Sequence, residues 1–172
     1  MQTIKSTKSL RRLIRQLCFI PLLHRHDFSK HYAQDLAGVV SRAEQGHDGE
    51  IRLIIEEHLP IAMAYATNCR ERALSLFASH HVWDTEQNTG VLIYVNICEH
   101  SLEIIADRGI DRCATETIWQ QLAADTIVLF RQGKMQEGLE RLLIQVGDVL
   151  RQHFPSDDVM GNELPDEVIV LK

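Results

Sequence analysis

Hydrophobic positions change period several times along the chain, and each change marks an element. Leu10, Leu13, Ile14 and Leu17 recur at helical spacing within residues 8–20, with Lys8, Arg11, Arg12 and Arg15 away from that stripe. The pattern predicts a short basic amphipathic helix, closed by Pro21, that packs on the rest of the chain. Tyr32, Leu36, Val39, Val40 and Ala43 form a second helical stripe running to about Gln45. Asp27 or Ser29 can accept a bond from its first turn, and Gly46 supplies its stop. His47-Asp48-Gly49 reads as a turn. Glu50–Glu56 follows as a β-branched run that predicts a central strand. After Pro60 a helix is expected over about Ile61–Ser79, burying Ala62, Ala66, Cys69, Ala73, Leu76 and Phe77.

Residues 80–90 are a polar loop. Val91–Val95 is continuously apolar, the pattern of a strand covered on both faces. Asn96–His100 is long enough only for an antiparallel connection, so Leu102–Ala106 is the returning strand, ended by Asp107-Arg108-Gly109. Two long helices follow. One spans about 114–132 with Trp119, Leu122, Ala123, Ile127 and Phe130 on one face and Gly133 as its cap. The other spans about 135–153 with Met135, Leu139, Leu142, Leu143, Val146 and Leu150, and Pro155 stops it. The tail from Gly161 to Lys172 ends Val168-Ile169-Val170-Leu171, either a short edge strand or a docking peptide.

These elements predict an α/β fold: a three-layer sandwich with a small mixed central sheet of three to four strands flanked by helices. The first two strands are joined through a helix and should be parallel with a right-handed crossover, whereas the hairpin is antiparallel. The N-terminal ends of the first two strands and the C-terminal end of the third therefore fall on one rim. His47, Asp48, Asp84, Glu86, Asn88, Asp107 and Arg108 lie there. Oxygen ligands gathered from several turns suit a hard cation, Ca²⁺ or alternatively Mg²⁺. With Arg108 as a phosphate clamp they also suit phosphoryl chemistry. Asp84 and Asp107 are the strongest candidates, each adjoining a Trp or a buried strand. The competing reading is a set of solvated turn formers. Glu56 and Glu57, at the other end of the first strand, are read as solvent-facing.

Composition narrows this further. The 172 residues carry a formal charge of −6, which on electrostatic grounds excludes a nucleic-acid binder. The charge is uneven: six basic residues and no acid lie before Asp27, on an otherwise acidic chain. Such a head allows a weak contact with an anionic membrane surface through residues 5–20. The four cysteines form no CxxC pair and sit in apolar runs, which fits reduced, buried thiols. No apolar run is long enough to span a membrane, and Leu17–Leu23 lacks the cleavage site of a signal peptide. His24, His26, His80 and His81 form close pairs without zinc-ligand spacing. No nucleophile elbow, dinucleotide fingerprint or P-loop is present.

The runs GEIRLIIEEHLP, NTGVLIYVNICEHSLEIIADRGI and GLERLLIQVGDVLRQHFP, with Trp119 and Phe130, resemble the TPM domain over roughly residues 28–155. The family is named for thylakoid-lumen, photosystem II-associated and nematode receptor-modulating proteins. The resemblance implies an α/β sandwich and a divalent-cation site, often for calcium. In some plant members it implies acid phosphatase activity, and it links the family to membrane-protein partners. The metal positions it implies fall at Asp84, Asn88 and Asp107, with Asp48 beside them. Relatives often carry a signal peptide and a C-terminal transmembrane helix. Neither is read here, which favours a stand-alone, bacterial-type, cytoplasmic version. The expected organisation is a basic N-terminal helix and linker at 1–26, the TPM-like domain at 27–155 and a tail at 156–172. The leading expectation is a Ca²⁺-binding interaction module with a protein partner. A metal-dependent acid phosphatase-like hydrolase of phosphate monoesters is second, and a membrane-surface adaptor third.

Overall fold

Residues 9–18, 30–157 and 164–172 are described by the computed structural model. Lys5, Lys8, Pro21, His24, Arg25, His26 and the proposed caps Asp27 and Ser29 lie outside the described residues. Four strands form one mixed sheet: β1 (Ile51–Glu56), β2 (Val91–Asn96), β3 (Ser101–Ala106) and β4 (Ile169–Leu171), in the order β3-β2-β1-β4. β1 and β2 are parallel with Ile51 opposite Val91, and β2 and β3 are antiparallel with Val91 opposite Ala106. The tail resolves into an edge strand, β4, parallel to β1 with Ile54 opposite Ile169. This is the mixed, helix-flanked sheet that the sequence predicts.

Alternation along the strands divides the core into two layers. Ile51, Leu53, Ile55, Val91, Ile93, Val95, Leu102 and Ile104 pack on one side against three long helices. These are α2 (Lys30–Ala43), α6 (Glu116–Arg131) and α7 (Met135–His153). Ile54, Leu92, Tyr94 and Ile105 pack on the other side against Cys69, Ala73 and Leu76 of α4 (Cys69–Ser79) and against Val82. Each fully buried Ile or Leu contributes about 1.5–3 kcal/mol to this packing. The turns after α2 and α6 rest on Gly46 and Gly133 with φ of 82° and 74°, a left-handed conformation that only glycine adopts without strain.

Four expectations are corrected. The helix expected over 61–79 is two pieces, α3 (Ile61–Ala64) and α4, and Ala62 and Ala66 are exposed instead of buried. The break is made by Asn68, whose side chain accepts from the Glu71 N–H at 2.8 Å while Glu71 accepts from the Asn68 N–H at 3.1 Å. This capping box starts a new helix more favourably than the preceding turn can be continued. Glu56 is buried, not solvent-facing, because Arg72 of α4 reaches it at 2.6 Å. Of the cysteines only Cys69 and Cys98 are buried, while Cys18 and Cys113 are exposed free thiols.

The fourth correction concerns α1 (Leu10–Leu17), which docks in the reverse of the usual sense. Its polar side faces the protein. Gln16 is only 4% exposed, whereas Leu10, Ile14 and Leu17 are 64%, 52% and 56% exposed. Gln16 accepts from the Leu59 N–H at 2.9 Å and donates to Glu99 at 2.6 Å. Arg12 donates to the Ala64 and Tyr65 carbonyls at 2.9 and 3.2 Å, the carbonyls that end α3. The helix is held because it satisfies backbone groups that would otherwise lack partners.

Candidate functional site

The return of β3 sets its C-terminal end beside the N-terminal ends of β1 and β2, and the residues just beyond those ends form one rim. Main-chain bonds lock it. Asp107 N–H donates to the Gly90 carbonyl at 2.8 Å and Gly109 N–H to the Asn88 carbonyl at 2.9 Å. Thr89 Oγ1 donates to the Asp48 carbonyl at 2.9 Å, and the Thr89 N–H to Thr85 Oγ1 at 2.9 Å. The two turns approach so closely that a Cβ on Gly109 would collide with the carbonyl oxygens of Gln87 and Asn88. Asn88 sits at φ 57°, a left-handed position that Asn tolerates better than most residues.

Side chains complete the rim. Gln87 donates to Asp48 Oδ2 at 2.7 Å. Asp107 Oδ1 accepts the Arg108 N–H at 2.7 Å, capping the single turn α5 (Arg108–Asp111). Arg108 Nε donates to Asn88 Oδ1 at 2.8 Å, with the guanidinium at the surface. The other oxygen of each aspartate, Asp48 Oδ1 and Asp107 Oδ2, is buried and has no hydrogen-bond partner among the described residues. Buried carboxylate oxygens rarely stay unpaired, because desolvating them without compensation costs free energy.

Asp48, Asn88, Asp107 and Arg108 are therefore brought to one place, as the topology predicts. Asp84 is exposed in its loop, its N–H bonded to the His81 carbonyl at 2.9 Å, and among the described residues no hydrogen bond ties its side chain to the rim. His47 cannot serve as a ligand. Its Nδ1 accepts the Gly49 N–H at 3.0 Å, so Nε2 carries the proton and donates to the Ala43 carbonyl at 2.7 Å. Burial, reinforced by the charge of Arg151, holds its pKa below the ordinary value. Among the described residues no group of three or more His, Cys, Asp or Glu side chains is placed to hold a metal ion. The donor set is two carboxylates with amide and carbonyl oxygens, hard oxygen chemistry that fits Ca²⁺ better than a transition metal. Gln87 and Thr89 are missing from the sequence-derived set. Their signal is the Thr85–Thr89 spacing leading into Asn88-Thr89-Gly90, a loop that folds onto itself.

At the opposite end of β1 and β2 lies a closed polar cluster. Arg72 binds Glu56, Tyr94 donates to Glu56 Oε2 at 2.5 Å, and Asn96 Nδ2 donates to the Tyr94 hydroxyl at 3.0 Å. Burial, then the hydrogen bond to Glu56, pushes the Tyr94 phenol up. Every member has a partner, so the cluster is a structural brace. Cys69 and Cys98 are pushed up to about 11 by burial and are protonated thiols at neutral pH, not nucleophiles.

A sheet of this order, with helices on both faces and a polar rim at the hairpin mouth, defines an α/β sandwich of the kind expected. Residues 25–149 match the model of the TPM domain, and the chain belongs to that family. Its fold is similar to that of the BA42 protein from the psychrophilic bacterium Bizionia argentinensis, solved by NMR. The TM-score is 0.73 at 24% identity, covering 83% of this chain and 94% of that one. It is also similar to the N-terminal domain of a protein from P. gingivalis, with TM-score 0.59 at 18% identity, covering 76% and 83%. No curated protein matches the chain. No helix among the described residues is long and apolar enough to cross a membrane.

Proposed function

We propose that this TPM domain is a cation-binding interaction module whose rim takes Ca²⁺, with Mg²⁺ the alternative ion. The observation that carries this reading is the pair of buried carboxylate oxygens at Asp48 and Asp107 that have no hydrogen-bond partner among the described residues. A divalent cation between the turns would compensate both, with Asn88 and main-chain oxygens as neutral donors. Two carboxylates make a site of low charge count, so the affinity belongs in the weak range of about 10⁻⁴–10⁻³ M. Cation binding would stiffen the 85–90 loop against the 107–109 turn and so change the surface that a protein partner meets. This role is assigned to a cytoplasmic protein.

Thermal melting of chelator-stripped protein tests it. Ca²⁺ at millimolar concentration should raise the midpoint, and Asp48→Asn and Asp107→Asn should each abolish the rise. No rise with any of Ca²⁺, Mg²⁺, Mn²⁺ or Zn²⁺ in the wild type would refute the site.

A metal-dependent hydrolase of phosphate monoesters ranks second. The observation in its favour is Arg108, anchored on Asn88 and exposed at the rim, where a guanidinium can meet a phosphoryl group. The protonated buried thiols and the closed Glu56 brace supply no nucleophile, and in this reading the attacking group is a metal-activated water. Hydrolysis of p-nitrophenyl phosphate that requires metal and disappears in Arg108→Ala would move this reading ahead of the first.

A further inference from the structure

We propose that the outward apolar face of α1 is a docking face for an anionic lipid surface. Leu10, Ile14 and Leu17 form a stripe along one side of the helix, each more than half exposed. Their exposure follows from how the helix is held. Ser9, Arg12 and Gln16 lie on the opposite side and spend their polar atoms on the protein. Ser9 N–H donates to the Tyr65 carbonyl at 3.1 Å, Arg12 binds the end of α3, and Gln16 binds Leu59 and Glu99. Arg15 adds an ion pair to Glu99 at 3.2 Å. The orientation is thus fixed by hydrogen bonds that a reversed helix could not make. Ile61 and Tyr65, on the turn that α1 packs against, are 58% and 41% exposed and add apolar surface on the same element pair. Three large apolar side chains exposed along one side of a helix mark a place where something docks.

Charge identifies the occupant. Residues 1–26 contain Lys5, Lys8, Arg11, Arg12, Arg15 and Arg25 and no acidic residue, while the rest of the chain is acidic. Arg11 is exposed and stands beside the stripe. An apolar helix face with an exposed arginine beside it, in an N-terminal segment that carries no acid, is the composition that lies in the interface of an anionic membrane, with leucines among the acyl chains and Arg11 at the phosphates. The acidic body would be repelled by the same surface, so the protein is oriented with α1 toward the lipid. The face is independent of the Asp48–Asp107 rim, at the other end of the parallel strands.

The test is co-sedimentation of the full chain with vesicles of phosphatidylglycerol and phosphatidylcholine, compared with phosphatidylcholine alone. Wild type should sediment with the anionic vesicles at low salt, fail to do so with neutral ones, and be released at about 0.5 M salt, where charge is screened within a few ångströms. The triple variant Leu10→Gln/Ile14→Gln/Leu17→Gln replaces exposed side chains only, so its melting midpoint should match wild type while its vesicle binding falls about tenfold or more. Equal sedimentation of wild type and variant, equal binding to neutral vesicles, or no sedimentation at all would overturn the proposal. A dimer present in wild type and lost in the variant, without vesicle binding, would assign the face to a second copy of the chain and would equally overturn it.

Discussion

Two titrating side chains near the rim pull stability in opposite directions with pH. Glu44 accepts the Ile51 N–H at 2.7 Å, yet burial, with help from the charges of Glu50 and Asp166, pushes its carboxyl from 4.5 up to about 9. Between those values the folded chain holds a proton that the unfolded chain has released, so stability falls as pH rises. Urea midpoints should therefore fall from about pH 5 to pH 9, and Glu44→Gln should flatten the slope and exceed wild type at the alkaline end. His47 behaves oppositely. Its folded pKa is held below 6.5, so on acidification the unfolded state takes up the proton first and stability is lost as pH drops through that value. His47→Gln should remove that acid limb while costing stability at neutral pH, because Gln does not reproduce the ring's two bonds. At this scale the sequence was legible only where topology alone could place a residue. Asp48, Asn88, Asp107 and Arg108 sit at strand ends and could be located. Glu44 and Glu56 could not, because the groups they meet, Asp166 and Arg72, come from other parts of the chain.

At the scale of elements, the hairpin and the two long helices were readable because an unbroken apolar run or a strict helical stripe admits one reading. α7 matches its expected span of 135–153. The interrupted helix after Pro60 was not read, although Asn68 and Glu71 carry the capping signature in plain sequence; the small residues on either side blurred it. Asn68→Ala should cost about 1 kcal/mol in urea unfolding, the usual worth of an N-cap. α4 also depends on its ion pair. Arg72→Met would strand Glu56 as a buried, uncompensated charge and should cost about 3–5 kcal/mol, whereas the double variant with Glu56→Gln should recover part of that loss. The orientation of α1 was beyond sequence reasoning for a related reason. Amphipathic patterning assumes that the apolar side faces inward, and the groups that reverse it, the Ala64, Tyr65 and Leu59 backbone, carry no side-chain signal.

For the whole molecule, the acidic tail is part of the sheet. Arg52 donates to the Pro165 carbonyl at 2.7 Å, Glu50 accepts the Leu164 N–H at 3.3 Å, and Val168 enters the core. Deleting residues 164–172 should lower the melting midpoint by several degrees and produce higher-order species on size exclusion, since β1 would become an open edge. The edge at the other side of the sheet is guarded differently, with Arg70 of α4 donating to the Ile104 carbonyl at 2.6 Å.

The two sides of β1 are completed on different schedules. β2 arrives after two helices, α3 and α4, and a loop, but Ile54 meets Ile169 only after more than a hundred intervening residues. Pairings that close so long a loop form late, because the chain entropy is lost before the contact returns anything. Until β4 arrives, the C-terminal half of β1 offers bare N–H and C=O groups along Ile54–Glu56, in a chain already largely assembled. The hazard of misassociation is therefore concentrated in a kinetic window during folding, and it closes when three residues, Ile169 to Leu171, reach their register.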